Sequence, residues 1–449
     1  MKIKVMKFGG TSVATSEARM ASALRVVQAK DQGYRPVVVV SAIGRRGAPY
    51  ATDTLINLLR EIDPSVEPEP RELDMMIACG EILSAVIFAH TLKTLGHASA
   101  AFRGGQAGIR TDGVYGNARI VSIKPTGLFR ACEAGTIPVV CGFQGVFAID
   151  GQPGGELTTL GRGGSDTTGS ALGAALSAEA VEIFTDVDGI KTADPDAVKN
   201  ANTLRKVTYD EVAEIAHLGA KVVHPRAAEI AMAYNIPLWV KNTFTEDEGT
   251  VILPREQHPG RRATGVTHTG KLVFLQFDLS GTGTADRVAL EARIYETMAR
   301  YDINLFMLNV SPNSTGFAVP RDQYPVVQDV LDGLVIPMAD GEERTVYLFQ
   351  IGGASREVET QAQLLAPLGK VRRVVASLVE GCAMVSLVGH EFMQQPGLFL
   401  RVLSTLHEES IAVLQTSDSD YSLSVLVPES ETNRAVRVLH DRFGLAEVV

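Results

Sequence analysis

Lys2-Ile3-Lys4-Val5-Met6-Lys7-Phe8-Gly9-Gly10-Thr11-Ser12 lies near the start of the chain, and Pro36-Val37-Val38-Val39-Val40-Ser41-Ala42 follows a helical stretch over 16–32. The first segment reads as a strand, 2–8, that runs into a glycine turn. The second is a β-branched run of the kind found in strands buried on both faces. Strand, helix and apolar strand make the first step of an α/β fold layered around a largely parallel sheet. Further along, buried-strand candidates recur at Ile137–Cys141, Ala180–Thr185 and Ile236–Lys241, with helical patterns such as 74–95 and 166–178 between them. Ligands of such sheets gather at the carboxyl ends of the strands, and Gly- and Asp-rich turns occupy those ends here.

The pattern changes after a polar, turn-rich stretch over 254–265, which reads as a linker. Strand, helix, strand, strand and helix follow at 271–279, 286–300, 303–310, 315–319 and 322–333. The same order returns at 382–390, 396–409, 411–416, 421–427 and 431–443. This is an internal repeat of small β-α-β-β-α units, and Leu398, Val402, Leu403 and Leu406 mark the apolar face of one helix in its second copy. Residues 334–372 fit neither copy and are open to being an insertion or a donor of strands. The expected domains are therefore 1–255, 266–345 and 373–449.

The 449 residues carry a net charge of −10, which excludes a generally nucleic-acid- or membrane-binding surface. No uninterrupted apolar run approaches a membrane span of ~20 residues, and the charged N-terminal strand is unlike a signal peptide. The four cysteines form no C-x-x-C pair and read as reduced, mostly buried thiols of a cytoplasmic protein. No histidine–cysteine cluster suggests a metal site.

Five motifs carry chemistry. Lys7 beside Gly9-Gly10 sets a mobile cation next to backbone that an anion can approach closely; the same letters also suit an ordinary strand-to-helix turn. Gly161-Arg162-Gly163-Gly164-Ser165-Asp166-Thr167-Thr168 opens a small-residue helix and reads as an anion site. In it Arg162 can clamp a carboxylate, and Asp166 either caps the helix or orders Lys7. Phe184-Thr185-Asp186-Val187-Asp188-Gly189 ends a strand in a loop suited to a nucleotide or to a plain surface turn. Gly219-Ala220-Lys221-Val222-Val223-His224-Pro225 offers Lys221 to phosphates or to solvent, with His224 structural. Glu81, after Cys79-Gly80 in an apolar helix, needs a partner, either a substrate ammonium or a structural arginine.

In this order, the motifs resemble the aspartate kinases of the amino-acid kinase superfamily. The likeness runs through KFGGTS 7–12, VVVVSA 37–42, ATDTL 51–55, GE 80–81, GRGGSDTT 161–168, FTDVDGI 184–190, TADP 192–195 and GAKVVHP 219–225. The C-terminal repeat is similar to that family's tandem ACT domains, and Val413–Ser419 resembles its diaminopimelate-sensitive type. The resemblance implies a three-layer α/β/α kinase domain followed by two ferredoxin-like (ACT) α+β domains. It implies Lys7 and Asp166 at the phosphoryl-transfer centre, with Thr52, Glu81, Arg162 and Ser165 on L-aspartate. It implies Lys7, Gly9, Gly10, Thr185, Asp186, Lys191, Asp196 and Lys221 on ATP with Mg²⁺, and no metal held by the protein alone. Two departures stand out. Lys191 and Asp196 replace the apolar or aromatic residue and the arginine usual in that loop. Ala285-Asp286-Arg287-Val288 stands where a proline-glycine turn is usual, a turn that Pro396-Gly397 retains in the second unit.

The implied reaction moves the γ-phosphoryl group of ATP to the aspartate side-chain carboxylate. The nucleophile is already ionised, so position and charge neutralisation are what the protein must supply. The ACT-like tail implies feedback by lysine, threonine or diaminopimelate in a homodimer or dimer of dimers. A sister kinase with another carboxylate substrate, and a catalytically silent amino-acid sensor, are the competing readings.

Overall fold

A computed structural model describes residues 1–148, 155–220, 223–340, 343–352 and 356–447. The chain divides into two compact units: residues 1–192 with 201–264 and 446–449, and residues 193–200 with 265–445.

In order, the first unit contains β1 (Ile3–Phe8), α1 (Ser16–Asp31), β2 (Arg35–Val40), α2 (Thr52–Arg60), α3 (Pro70–Thr94), β3 (Ser99–Phe102), β4 (Ile109–Thr111) and β5 (Ile120–Ile123). Next come α4 (Thr126–Glu133), β6 (Ile137–Cys141), β7 (Gln144–Phe147), β8 (Glu156–Thr159), α5 (Gly164–Ala175) and β9 (Ala180–Thr185). The unit closes with β10 (Lys206–Thr208), α6 (Tyr209–His217), α7 (Pro225–Ala233), β11 (Leu238–Asn242) and β12 (Thr250–Leu253). Its main sheet runs β10-β12-β11-β9-β1-β2-β6-β3, parallel from β11 to β3, and a second sheet runs β5-β4-β7-β8.

Alternate residues of β1 face opposite layers. Met6 and Phe8 join Val38, Val40, Val139 and Phe184 in a core roofed by Ala23 and Val26 of α1 and by Phe88 and Leu92 of α3. Phe8 stacks on Phe184 and Phe88 with ring centroids 4.8 and 5.4 Å away. Lys7 faces the other way, under α5, where Gly169 leaves room for its stem. The β-branched run of β2 is buried from Val37 to Val40, as a strand covered on both faces should be.

α3 is the longest helix of the unit. Its apolar length would suffice to cross a bilayer, but half of that stretch is buried in the fold. Asp74 and Glu81 are fully enclosed within it.

The turn-rich stretch after β12 is held by one buried carboxylate. Glu211, the third residue of α6, completes a capping box with Thr208. It also takes hydrogen bonds from Arg261 at 3.1 Å, from His258 at 3.2 Å and from the Thr264 hydroxyl. Burial alone would raise its pKa; the contacts with His258, Arg261 and Thr264 outweigh it and bring the group down to about 2.

The second unit contains β13 (Ala263–Asp278), α8 (Thr284–Arg300), β14 (Phe306–Val310), β15 (Ser314–Pro320), α9 (Tyr324–Leu331), β16 (Val335–Asp340), β17 (Glu343–Ile351) and α10 (Arg356–Leu365). β18 (Lys370–Gly389), α11 (Leu398–Glu408), β19 (Gln415–Asp418), β20 (Ser422–Pro428) and α12 (Thr432–Arg442) complete it. The expected repeat is present as β13-α8-β14-β15-α9 and β18-α11-β19-β20-α12.

Both copies share one sheet through two long strands. Each of these strands contains one left-handed residue, Lys271 in β13 (φ 58°) and Gly381 in β18 (φ 67°). The expected domain ends at 345 and 373 fall inside this arrangement. Residue 345 lies within β17, which pairs in parallel with β18 from Thr345↔Lys370 to Ile351↔Ala376. Ile336, Tyr347, Phe349 and Val374 pack into the same core as Phe277, Leu290 and Phe317 of the first copy. The segment between the copies thus adds β17 and β16 to the shared sheet beyond β18, while their side chains pack into the first copy's core.

Candidate active site

β1 lies between β2 and β9, both parallel to it, so its carboxyl end is a topological switch point of the sheet. Three loops are tied together there. The Gly9 amide donates to the Phe184 carbonyl at 3.1 Å, and the Gly44 amide donates to the Gly10 carbonyl at 3.0 Å. The Gly9 N–H, offered by the sequence as an anion contact, is therefore engaged within the protein.

α5 begins beside this turn. Gly163 is its N-cap, with φ 72°, and a Cβ there would lie 2.1 Å from the His224 ring, so only glycine fits on both counts. Burial lowers the pKa of His224, whose ring packs against this turn. Asp166, in the first turn of α5, meets the Lys7 ammonium at 2.6 Å, and both side chains are nearly enclosed. The sequence left open whether Asp166 caps the helix or orders Lys7; this ion pair decides for Lys7.

A cavity of about 470 Å³ opens here. Lys7, Gly10, Thr52, Glu81, Arg162, Ser165 and Asp166 line it, together with Asp74. Glu81 is 2 % exposed. One of its carboxylate oxygens accepts the Ala42 amide at 3.0 Å, and the other is buried with no hydrogen-bond partner. Burial pushes this carboxyl up to about 8, against the pull of the Ala42 amide. Among the described residues no arginine answers it, so of the two partners considered for Glu81 the structural one is not found there.

Asp74 was not singled out from the sequence. It sits two helical turns before Glu81 on the same face of α3, a spacing that could have disclosed it. Its carboxylate accepts the Gly116 amide at 3.1 Å, the Thr159 amide at 2.8 Å and the Thr159 hydroxyl at 2.6 Å. It thereby joins the helix carrying Glu81 to the strand that leads into Arg162.

The residues expected on the nucleotide are less gathered. Thr185 ends β9 and Asp186 follows it, its carboxylate held by Arg45 at 2.8 Å and by the Thr185 hydroxyl at 3.1 Å. The Arg45 contact was not foreseen. Lys191 reaches the Thr203 hydroxyl at 3.3 Å. The Asp196 amide donates to Asp194 at 2.9 Å, in a segment grouped with the second unit. Lys221 lies outside the described residues. Of the cysteines, Cys132, Cys141 and Cys382 are buried, but Cys79 is exposed on α3.

Fold and site together define a kinase of the amino-acid kinase class. The amino acid kinase family model matches residues 2–242, and an ACT domain model matches residues 377–441. Aspartokinase 1 of Bacillus subtilis (strain 168) is 36% identical over 453 residues, covering all of both chains. The aspartokinase of Mycolicibacterium smegmatis is 35% identical over 448 residues, covering 99% of this chain and 97% of its own. The structure of E. coli aspartokinase III in complex with aspartate and ADP (R-state) shares the fold with a TM-score of 0.72, at 23% identity over 98% of this chain and 99% of that one. The chain belongs to the aspartokinase family.

Proposed function

We propose that the chain phosphorylates the side-chain carboxylate of L-aspartate with ATP, giving 4-phospho-L-aspartate, under feedback control through its ACT unit. The observation that carries this reading is the buried, half-partnered Glu81 carboxylate in a cavity also lined by Arg162 and the Lys7–Asp166 pair. An α-ammonium supplies the missing partner of Glu81. Arg162 clamps the α-carboxylate through two parallel hydrogen bonds, and the Thr52 and Ser165 hydroxyls complete the hold on aspartate.

The β-carboxylate oxygen then forms a bond to the γ-phosphorus as the bond to the β,γ-bridging oxygen breaks, and ADP leaves with that electron pair. Lys7, held by Asp166, offsets charge on the transferring oxygens. No general base is required. Gly9, Gly10, Thr185, Asp186, Lys191, Asp196 and Lys221 are assigned to the nucleotide, Gly9 by its backbone position alone. Mg²⁺, when bound, neutralises triphosphate charge. The described residues contain no cluster of three acidic, histidine or cysteine side chains, which suits an ion held chiefly by phosphate oxygens and water. Asp186 is the carboxylate we assign to it.

In the second unit an end product, lysine, threonine or diaminopimelate, favours a less active arrangement of the enzyme, in a homodimer or dimer of dimers. Four cysteines without disulfides suit the cytoplasm. Hydroxylamine trapping with ATP and L-aspartate, repeated with each end product, tests the reading. Aspartate hydroxamate that falls with one effector is expected; ATP turnover without hydroxamate would refute it.

A further inference from the structure

Residues 41–51 join β2 to α2 and form a rim of the active-site cavity, which Ser41, Ala42, Gly44 and Thr52 line. The rim is pinned to the residues around it. The Ala42 amide donates to Glu81, and the Gly44 amide donates to the Gly10 carbonyl at 3.0 Å. Gly44 has φ 87° and packs so closely on Gly10 that a Cβ on Gly10 would lie 2.3 Å from the Gly44 carbonyl oxygen. The next side chain, Arg45, reaches out to Asp186. Its Nη2 donates to both oxygens of that carboxylate, at 2.8 and 3.1 Å.

The register of the sheet fixes what this ion pair crosses. Phe8 of β1 is level with Val40 of β2 on one side and with Phe184 of β9 on the other. Arg45 follows β2 and Asp186 follows β9, so the pair reaches across two strand spacings, ~10 Å, at the Gly9-Gly10 turn that ends β1. The Lys7 ammonium lies beside the same turn, 3.7 Å from where a Cβ of Gly9 would stand. Two cation–aspartate pairs therefore meet at one turn, and they differ in burial. The Lys7 and Asp166 side chains are 10% and 14% exposed, those of Arg45 and Asp186 71% and 33%. An ion pair open to water contributes little to stability, so Arg45 can exchange its partner where Lys7 cannot.

We propose that Arg45 is a second phosphoryl-binding cation of this site, leaving Asp186 to hold the γ-phosphoryl oxygens of the bound triphosphate. This rests on the ATP-dependent reading above. A terminal phosphoryl group carries more charge than one carboxylate and presents oxygens that a guanidinium holds in pairs. The exchange also leaves Asp186 free for the role assigned to it. Because Arg45 adjoins Gly44 in the cavity rim, the group it holds lies between the nucleotide and the aspartate pocket.

Calorimetric titration with MgATP and with MgADP, in the absence of aspartate, separates this role from that of a strut for Asp186. Arg45→Gln should weaken ATP binding by about 10-fold or more, the loss of a hydrogen bond to a charged group, and ADP binding by less than about twofold. Arg45→Lys, which keeps the charge but not the fork, should recover part of the ATP affinity. Arg46→Gln, at the neighbouring exposed cation, should leave both affinities unchanged. Equal losses of ATP and ADP in R45Q would make Arg45 a strut, and unchanged ATP binding would remove it from the site. An equal ATP loss in R46Q would reduce the effect to general attraction by the loop. Each of these results overturns the proposal. Hydroxylamine trapping on the same wild-type protein keeps the two readings apart: no aspartate hydroxamate refutes the proposed activity, whereas hydroxamate with unselective losses in R45Q refutes the role of Arg45 alone.

Discussion

Glu81→Gln isolates the residue proposed to receive the substrate ammonium. Burial moves the Glu81 pKa from 4.5 to about 8, a shift that corresponds to about 5 kcal/mol against the charged form. The neutral form dominates below pH 8 in the empty site, yet the proposed pairing with an aspartate ammonium requires the carboxylate. At pH 7 only about a tenth of the protein is competent, so apparent affinity falls by about tenfold, and at pH 6 by about 100-fold. Replacing the carboxylate by an amide removes a hydrogen bond to a charged group, which weakens binding by about 100-fold where Glu81 is ionised. Calorimetric titration of L-aspartate from pH 6 to 9 should show wild-type affinity rising about tenfold per unit up to pH 8, with uptake of substrate releasing about one proton at pH 7. The E81Q affinity should be flat, so the two proteins converge near pH 6. The empty wild-type protein should behave oppositely in stability. A raised carboxylate pKa favours the fold below 4.5, and that contribution is lost as pH rises through about 8; E81Q should not lose it. A wild-type to E81Q affinity ratio that stays constant across this range would refute the reasoning.

Lys7→Ala should lower turnover by ~100-fold or more, the effect of losing one transition-state donor; near-normal turnover in an ADP-release assay would remove Lys7 from the chemistry. Arg162→Ala should raise the KM for aspartate far more than that for ATP, and equal effects would argue against a carboxylate clamp. Asp74→Asn places an amide N–H against the Gly116 and Thr159 donors, so it should raise the KM for aspartate by about tenfold, a loss of roughly one net hydrogen bond, with the KM for ATP little changed. Gly381→Ala should cost about 1 kcal/mol in denaturant unfolding of the ACT unit, from backbone alone, since a Cβ there has no neighbour within 4 Å. Lys271→Gly, at the corresponding bend, should cost nothing.

The sheet was legible because its strands carry a signal that needs no partner to interpret. Val37–Val40 and Ile137–Cys141 are apolar on both faces, Ala180–Thr185 is apolar but for Glu182 and its last residue, and all three appear close to their expected limits. The linking stretch was also visible as turn-rich, but not its attachment to Glu211, because nothing local to Glu211 names partners fifty residues away. β16 and β17 escaped assignment for a similar reason. Their side chains are ordinary, and only the shared core with Phe277 and Leu290 shows which copy they extend. Lys7, Glu81, Arg162 and Asp166 were singled out by chemical type, as a cation, a buried acid and a glycine-rich helix start, and the fold brings them to the lining of one cavity. Asp74 was missed because a buried acid bonded to backbone amides resembles any polar residue in a helix until Gly116 and Thr159 are placed beside it. Arg45 was missed because its partner, Asp186, ends a different strand.

The central claim is the destination of the phosphoryl group, and isotope-edited NMR reads it directly. With ATP and L-aspartate carrying ¹⁸O in its β-carboxylate, the account predicts an acyl phosphate whose bridging oxygen is ¹⁸O, visible as an isotope shift on phosphorus. A phosphorus product without that label, or labelled only when the ¹⁸O is placed in the α-carboxylate, would contradict it.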